Sequence, residues 1–246
     1  MASHSRYNYL MGKYYKSTPW IVPAAPNELA RIFYKYGDFV NYPKNSVIAD
    51  GETLLTDIIF LKSGLLSQVY RTYDVNKPKA ISIVLPKRII NYAFYLRIEN
   101  DKEAVEVLRK SDVLKIPADK YRSLVKQYNL EEAMLNHCIG CIASDYDAFT
   151  CMFTCCAEIR LVYFIKSLVQ SLLPEYEIPA QQSEWIEIPL KLTYQELSYV
   201  MFTTLKTIER IMHEWHKSDF IRYGHGKIIV NCKLFDLTCD ETSGQQ

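Results

Sequence analysis

The hydrophobic period of this chain changes at Asn129, and that change restricts the fold more than any other feature of the sequence. Before it, apolar runs are short and alternate with turn residues. Phe39-Val40-Asn41-Tyr42 leads into Pro43-Lys44-Asn45, Val47-Ile48 into Asp50-Gly51-Glu52, and Ile58-Ile59-Phe60-Leu61 into Ser63-Gly64. Leu65–Tyr73, Ala80–Leu85 and Ala104–Ile116 continue the pattern. Runs of this length, rich in Ile, Val, Tyr and Phe, predict an antiparallel sandwich or barrel over residues 39–116. From Asn129 the apolar residues recur three, four or seven apart: Met134, Cys138, Cys141, Ala148, Cys151, Cys155, Ile159 and Val162. Asn129 can cap a helix, and Glu131 and Glu132 suit the positive first turn. Leu130–Cys156 alone would span about 40 Å as helix. One apolar stripe of that length needs a large partner surface, and a second copy of the same helix is the simplest one. The chain is therefore α+β, strands first.

The 246 residues carry a formal net charge of +1, with 49% apolar and 23% charged side chains. This is a globular composition; it excludes a disordered or collagenous chain. Arg160 and Lys166 interrupt the most apolar stretch, Ile159–Leu173, so no run has the length of a membrane span. The first residues, Met1-Ala2-Ser3-His4 and then Arg6, lack the apolar core of a secretion signal, and a cytoplasmic location is expected. Seven cysteines, five of them between Cys138 and Cys156, form a poor disulfide framework, and reduced thiols are expected.

The sharpest pattern lies near the C-terminus, beyond a connector marked by Pro174, Pro179, Pro189 and Gln181-Gln182-Ser183. Thr193-Tyr194-Gln195-Glu196 is a capping box that opens a short helix ending near Met201. Thr204 can cap a second helix with Ile208, Ile211, Met212 and Trp215 on its buried stripe and Lys206, Arg210 and His213 elsewhere. Phe220–Tyr223 and Lys227–Val230 flank Gly224-His225-Gly226 and read as a β-hairpin. Two short helices and a hairpin make a winged helix-turn-helix. Residues 189–233 hold seven Lys plus Arg and four Asp plus Glu, a local +3 that Asp236, Asp240 and Glu241 cancel. Non-specific DNA binding should then be weak, with affinity relying on dimerisation and a matched site.

This order of parts resembles the Crp–Fnr family of bacterial transcription regulators. The residues that carry the resemblance are Leu192-Thr-Tyr-Gln-Glu-Leu-Ser-Tyr-Val200, Thr204-Leu-Lys-Thr-Ile-Glu-Arg-Ile211 and Gly226-Lys-Ile-Ile-Val230, with Tyr42-Pro-Lys-Asn-Ser-Val-Ile48, Gly51-Glu52 and Ile58-Ile-Phe-Leu-Lys-Ser-Gly64 further upstream. The resemblance implies an N-terminal β-roll of the cyclic-nucleotide-binding type that senses an effector (residues 1–128). A dimerisation helix (129–156), a helix and connector (157–188), a DNA-binding winged helix-turn-helix (189–233) and a tail (234–246) would follow. It places Leu205, Lys206 and Arg210 at base-contacting positions. A guanidinium can bond O6 and N7 of guanine, whereas Leu205 can meet a thymine methyl. Thr203, Thr204 and Thr207 suit phosphate contacts. Phe202 departs from the small residue usual at this turn.

Cyclic-AMP-binding members hold the phosphate with an Arg-Ser pair. Here Asp101-Lys102-Glu103 stand near that position, and two carboxylates repel a phosphate, so the effector is expected not to be cyclic AMP. The resemblance instead directs attention to Tyr92, Phe94 and Tyr95, with Asp145 and Tyr146 on the long helix, as contacts for a small apolar or aromatic effector; core packing is the alternative for these rings. Met134, Cys138, Cys141, Asp145, Ala148, Cys151 and Cys155 are the expected dimer interface. The expected partners are double-stranded DNA, a second copy, an effector of unknown identity and, by family resemblance, RNA polymerase; no membrane, cofactor or metal is expected. No phosphate-cradling glycine loop or nucleophile elbow appears, and an enzyme is not expected. His213 and His216 lack the further ligands of a zinc site. Two other readings stay open: a thiol-based redox-sensing regulator using the Cys138–Cys156 cluster, and a β-roll sensor or scaffold whose winged helix binds protein.

Overall fold

The computed structural model describes residues 17–70, 79–98, 103–173, 185–224 and 227–237. They fall into two compact units, one of residues 20–145, the other of residues 17–19 together with those from 146 onward.

The first unit opens with α1 (Asn27–Tyr36), followed by β1 (Asp38–Tyr42), β2 (Val47–Asp50), β3 (Asp57–Tyr70), β4 (Lys79–Val84) and β5 (Arg88–Ile90). A single-turn helix α2 (Tyr92–Tyr95), the long strand β6 (Glu103–Pro117) and α3 (Ala118–Gln127) complete it, together with the start of α4 (Glu131–Thr154). The strands pair antiparallel in the order β1-β6-β3-β4, with β2 on β6 and β5 on β3. The period of two sorts β3: Ile58 and Phe60 enter one buried cluster, Ile59 and Leu61 the other. The first cluster packs α1 and α3 on the sheet, with the Phe33 ring 5.4 Å from Phe60 and 4.9 Å from Tyr121. The second collects Leu66, Val84, Val105, Val113 and Cys141.

Two local expectations change. Ser63-Gly64 does not end a strand; β3 runs straight through as a 14-residue strand whose register shifts there. Gly64 adopts φ +101°, and a Cβ on it would meet Ser111 Oγ at 2.2 Å, so the bulge requires glycine. Asn129 does not cap α4: with φ +54° and its N–H donating to Lys126 O at 3.1 Å, it closes the chain end of α3. The two compact units meet in sequence inside α4, between Asp145 and Tyr146.

The second unit contains the rest of α4 and then α5 (Ala157–Leu172), β7 (Trp185–Glu187), α6 (Tyr194–Val200), α7 (Leu205–Lys217), β8 (Ile221–Gly224) and β9 (Lys227–Asn231), with a 3₁₀ turn at Cys232–Asp236. The strands form an antiparallel sheet in the order β7-β9-β8. The connector therefore ends in a strand: Ile186 pairs with Val230 on the far side of the hairpin. Val162, Phe164, Leu197, Ile208, Ile211, Trp215, Ile221 and Val230 are all buried. No helix among the described residues is long and apolar enough to cross a membrane.

Candidate nucleic-acid interface and sensing site

Side-chain caps fix the start of both helices of the helix-turn-helix. Thr193 Oγ1 accepts from Glu196 N at 3.1 Å, and Glu196 Oε2 accepts from Thr193 N at 2.7 Å, the capping box read from the sequence. Thr204 Oγ1 accepts from Thr207 N at 3.1 Å and starts α7. Between them the chain reverses at Phe202, which takes φ +51° and is half exposed. A left-handed conformation costs a non-glycine residue about 1–2 kcal/mol, so the turn is made despite the side chain rather than because of it.

The 13 residues of α7 bury Ile208, Ile211, Met212 and Trp215, leaving Leu205, Lys206 and Arg210 exposed, the last two on the side opposite the buried stripe. Lys206 and Arg210 stand one turn apart on that face. Lys206 has no ion-pair partner among the described residues, whereas Arg210 Nη1 donates to both carboxylate oxygens of Glu214, at 3.0 and 2.9 Å. Both side chains of this pair are at least half exposed, and such a pair is worth only about 0.3–0.5 kcal/mol, so a phosphate or base edge can replace Glu214. Sequence reasoning missed this clamp, although the Arg-x-x-x-Glu spacing is its signal. It also missed the fastening of the wing: the Tyr194 and Tyr223 hydroxyls bond, Arg222 stacks on Trp185 at 3.9 Å, and Lys227 pairs with Glu187. His216 Nδ1 lies 3.2 Å from Ile221 O, and no group of three or more metal-ligating side chains occurs among the described residues.

The expected effector contacts are brought together only in part. Tyr92 Oη donates to Asp145 Oδ2 at 2.7 Å, and burial raises the pKa of both groups. Tyr95 instead packs on Tyr121 with ring centres 5.9 Å apart, and Phe94 lies under the Arg122 guanidinium, whose Nη1 donates to Phe94 O at 2.8 Å. The chain's own core occupies these two rings. Tyr146 is 70% exposed. Asp101 and Lys102 lie outside the described residues, while Glu103 accepts a bond from Gln68 Nε2.

Most of the residues expected to pair two copies are buried in the single chain. Met134, Cys138, Cys141, Ala148 and Cys151 are at most 2% exposed in a single chain, because the first three pack into the clusters of their own sheet. Asp145 is spent on Tyr92, and Cys155 is half-buried. A second apolar stripe runs along α4 instead: Leu135, Ile139, Ile142, Tyr146, Phe149 and Phe153, between 47% and 88% exposed. The two stripes share one helix, and periodicity alone does not say which faces inward.

A cavity of about 570 Å³, also missed from the sequence, opens between Pro23–Pro26 and α4, with Glu28, Glu132, Asn136 and His137 on its walls. Burial pushes His137 down from 6.5 to about 4, a hydrogen bond to the Ile89 backbone opposing it. The folded state holds this ring neutral. Its contribution to stability is therefore complete above pH 6.5 and is lost as pH falls from 6.5 to about 4. The shift is worth about 3 kcal/mol. Denaturant titrations of the wild type and of His137→Gln at pH 7 and pH 4.5 check this: the wild type is expected to lose substantially more stability than the variant. Equal losses would contradict the assignment.

CprK in complex with OCPA superposes with a TM-score of 0.62 at 13% identity, covering 90% of this chain and 98% of that one. FixK2 from Bradyrhizobium japonicum gives 0.63 at 13% identity, over 82% of this chain and 96% of that one. A CRP/FNR-family transcriptional regulator from Thermus thermophilus gives 0.59 at 15%, over 82% and 100%. The fold is that of the CRP/FNR regulators. No family model and no curated protein matches the sequence of the chain. The likeness covers both compact units.

Proposed function

We propose that the chain is a Crp–Fnr-type regulator, an effector-responsive, sequence-specific DNA-binding protein that acts as a homodimer on a palindromic site. The observation that carries this reading is the face of α7, where Lys206 and Arg210 stand exposed one turn apart on a doubly capped helix-turn-helix. In the major groove Arg210 exchanges Glu214 for guanine O6 and N7, and Leu205 meets a thymine methyl. Thr203, Thr204 and Thr207 hold phosphates at the helix start. Two copies pair through the exposed stripe of α4, and two-fold symmetry sets the half-sites about one helical turn apart.

The sheet unit senses the effector. CprK is complexed with OCPA, and the regulator CLP of Xanthomonas campestris is described as c-di-GMP responsive, so the CRP/FNR fold accepts unlike ligands. The packed state of Phe94 and Tyr95 leaves Tyr92 and Asp145 as the polar pair an effector would engage. By this reading the protein works in the cytoplasm, on double-stranded DNA and alongside RNA polymerase, and is not an enzyme.

Lys206→Ala and Arg210→Ala should each weaken binding to a selected duplex by roughly 5- to 150-fold, the equivalent of about 1–3 kcal/mol. Both side chains are exposed, so thermal unfolding should not move. Fluorescence anisotropy of a labelled duplex checks this, and unchanged affinity in both variants would contradict it. A winged helix that binds protein would show no salt-dependent affinity for any duplex.

A further inference from the structure

The cavity beside α4 lies wholly within the sheet unit, and neither the DNA-reading face of α7 nor the Tyr92–Asp145 pair lines it. Its outer wall is the chain entering α1, residues 23–26, which bonds to the sheet fix in place. Ala25 N donates to Lys87 O at 2.9 Å, and the buried Arg88 guanidinium donates from Nε to Val22 O and from Nη1 to Pro86 O, both at 2.8 Å. Its inner wall is the start of α4, where Glu132, Asn136 and Gly140 follow one another at intervals of one turn. A Cβ on Gly140 would stand 3.6 Å from Pro23 Cγ, so the two walls close on each other at that point. The space of about 570 Å³ is thus held open by bonds made outside it, and it has the size of a small-molecule site.

The charge and the bonding capacity around this space have one sense. Glu28, from the first turn of α1, and Glu132, from the first turn of α4, bring two carboxylates, and no Lys or Arg lines the cavity. A carboxylate in a first turn is commonplace by itself. Here two of them, from separate helices, share a cavity with a histidine that is only 5% exposed. One hydrogen bond joins the His137 ring to the Ile89 backbone, and Nε2 lies 3.7 Å from Cys141 Sγ, so one of the two ring nitrogens has at most a thiol for a partner. A neutral imidazole presents an acceptor there. No group of three or more metal-ligating side chains occurs among the described residues, so Glu28, Glu132 and His137 do not close around a bare metal ion. Acceptors spread around a cavity suit a cation whose charge and N–H donors are spread as well.

We propose that this cavity is a ligand site separate from the Tyr92–Asp145 pair and takes a small organic diammonium ion, which donates to Glu28, Glu132 and the open nitrogen of His137. Its methylenes lie against Pro26 and Ala133. Each ammonium–carboxylate bond is charge-assisted, which makes it stronger than the bond a neutral hydroxyl of the same reach can form.

Isothermal titration calorimetry of the full-length protein at pH 7.5 tests this, with 1,4-diaminobutane as the probe. It needs no DNA, so its failure would leave the DNA-binding reading untouched. One diamine per chain is expected to bind at low salt with a dissociation constant of about 1 mM or tighter. 1,4-Butanediol, equal in length and uncharged, should give no saturable heat. Glu28 and Glu132 are exposed, so Glu28→Gln and Glu132→Gln should leave the circular dichroism unchanged. Each should weaken diamine binding about threefold to tenfold, and the double variant at least about twentyfold. Glu52→Gln, an exposed carboxylate of the same unit that does not line the cavity, should bind as the wild type does. No saturable binding of diaminobutane up to about 10 mM, a folded double variant with wild-type affinity, butanediol bound as tightly as the diamine, or an equal loss from Glu52→Gln would each overturn the proposal.

Discussion

Replacing Ile142 and Phe149 together with glutamate is expected to abolish the proposed dimer and leave a monomer. Both side chains are close to half exposed in the single chain, within a stripe that also holds Leu135, Ile139, Tyr146 and Phe153. Six large apolar or aromatic groups on one helix face exceed what scattered surface residues explain. Burying a side chain of this size contributes about 1.5–3 kcal/mol. Losing two from each subunit, and adding charges that must be desolvated, should raise the dimer dissociation constant by a factor of about 1,000 or more. Sedimentation equilibrium across a concentration series reads this directly. Cys151→Ala, on the inward stripe, provides the contrast: it should lower stability and leave the oligomeric state alone. A dimer that survives Ile142→Glu with Phe149→Glu would remove α4 as the interface.

Trp215→Ala should be the most destabilising single substitution in the winged-helix unit. The ring is 1% exposed, and its Nε1 donates to Glu158 Oε1 at 2.7 Å, which ties α7 to α5. Truncating a buried aromatic to alanine costs about 3–5 kcal/mol, and the Glu158 carboxylate loses its donor as well. Trp215→Phe keeps most of the volume but not the hydrogen bond, so it should cost about 1–2 kcal/mol. Guanidinium unfolding followed by far-UV circular dichroism separates the two. Equal losses from both variants would mean that the hydrogen bond, not the packing, dominates.

Features stated by neighbouring residues were legible in the sequence. The capping box at Thr193 and Glu196, the cap at Thr204 and the stripe ending in Trp215 need only spacings of three and four, and all occur as read. What failed depended on distant partners. Ser63-Gly64 reads as a turn, yet the strand continues because Ser111 and Lys110 of β6 approach where only glycine leaves room. Trp185-Ile186-Glu187 reads as connector until β9 is known to lie beside it. The long helix carries two apolar stripes, and only the sheet beneath it decides that Cys138 and Cys141 face inward and Ile139 and Ile142 outward. The aromatic cluster at Tyr92, Phe94 and Tyr95 was placed by resemblance, and the ring of Tyr121, 26 residues or more along the chain, takes Tyr95 into the core.

The central claim is that α7 reads DNA from a symmetric dimer, and selection from a pool of random duplexes at near-physiological salt tests it most directly. The expected result is an enriched palindrome with half-sites about 10 base pairs apart, bound with an affinity that falls as salt rises and lost from selections with the Lys206→Ala, Arg210→Ala double variant. Recovery of no common sequence, or of the same palindrome by the double variant, would contradict it.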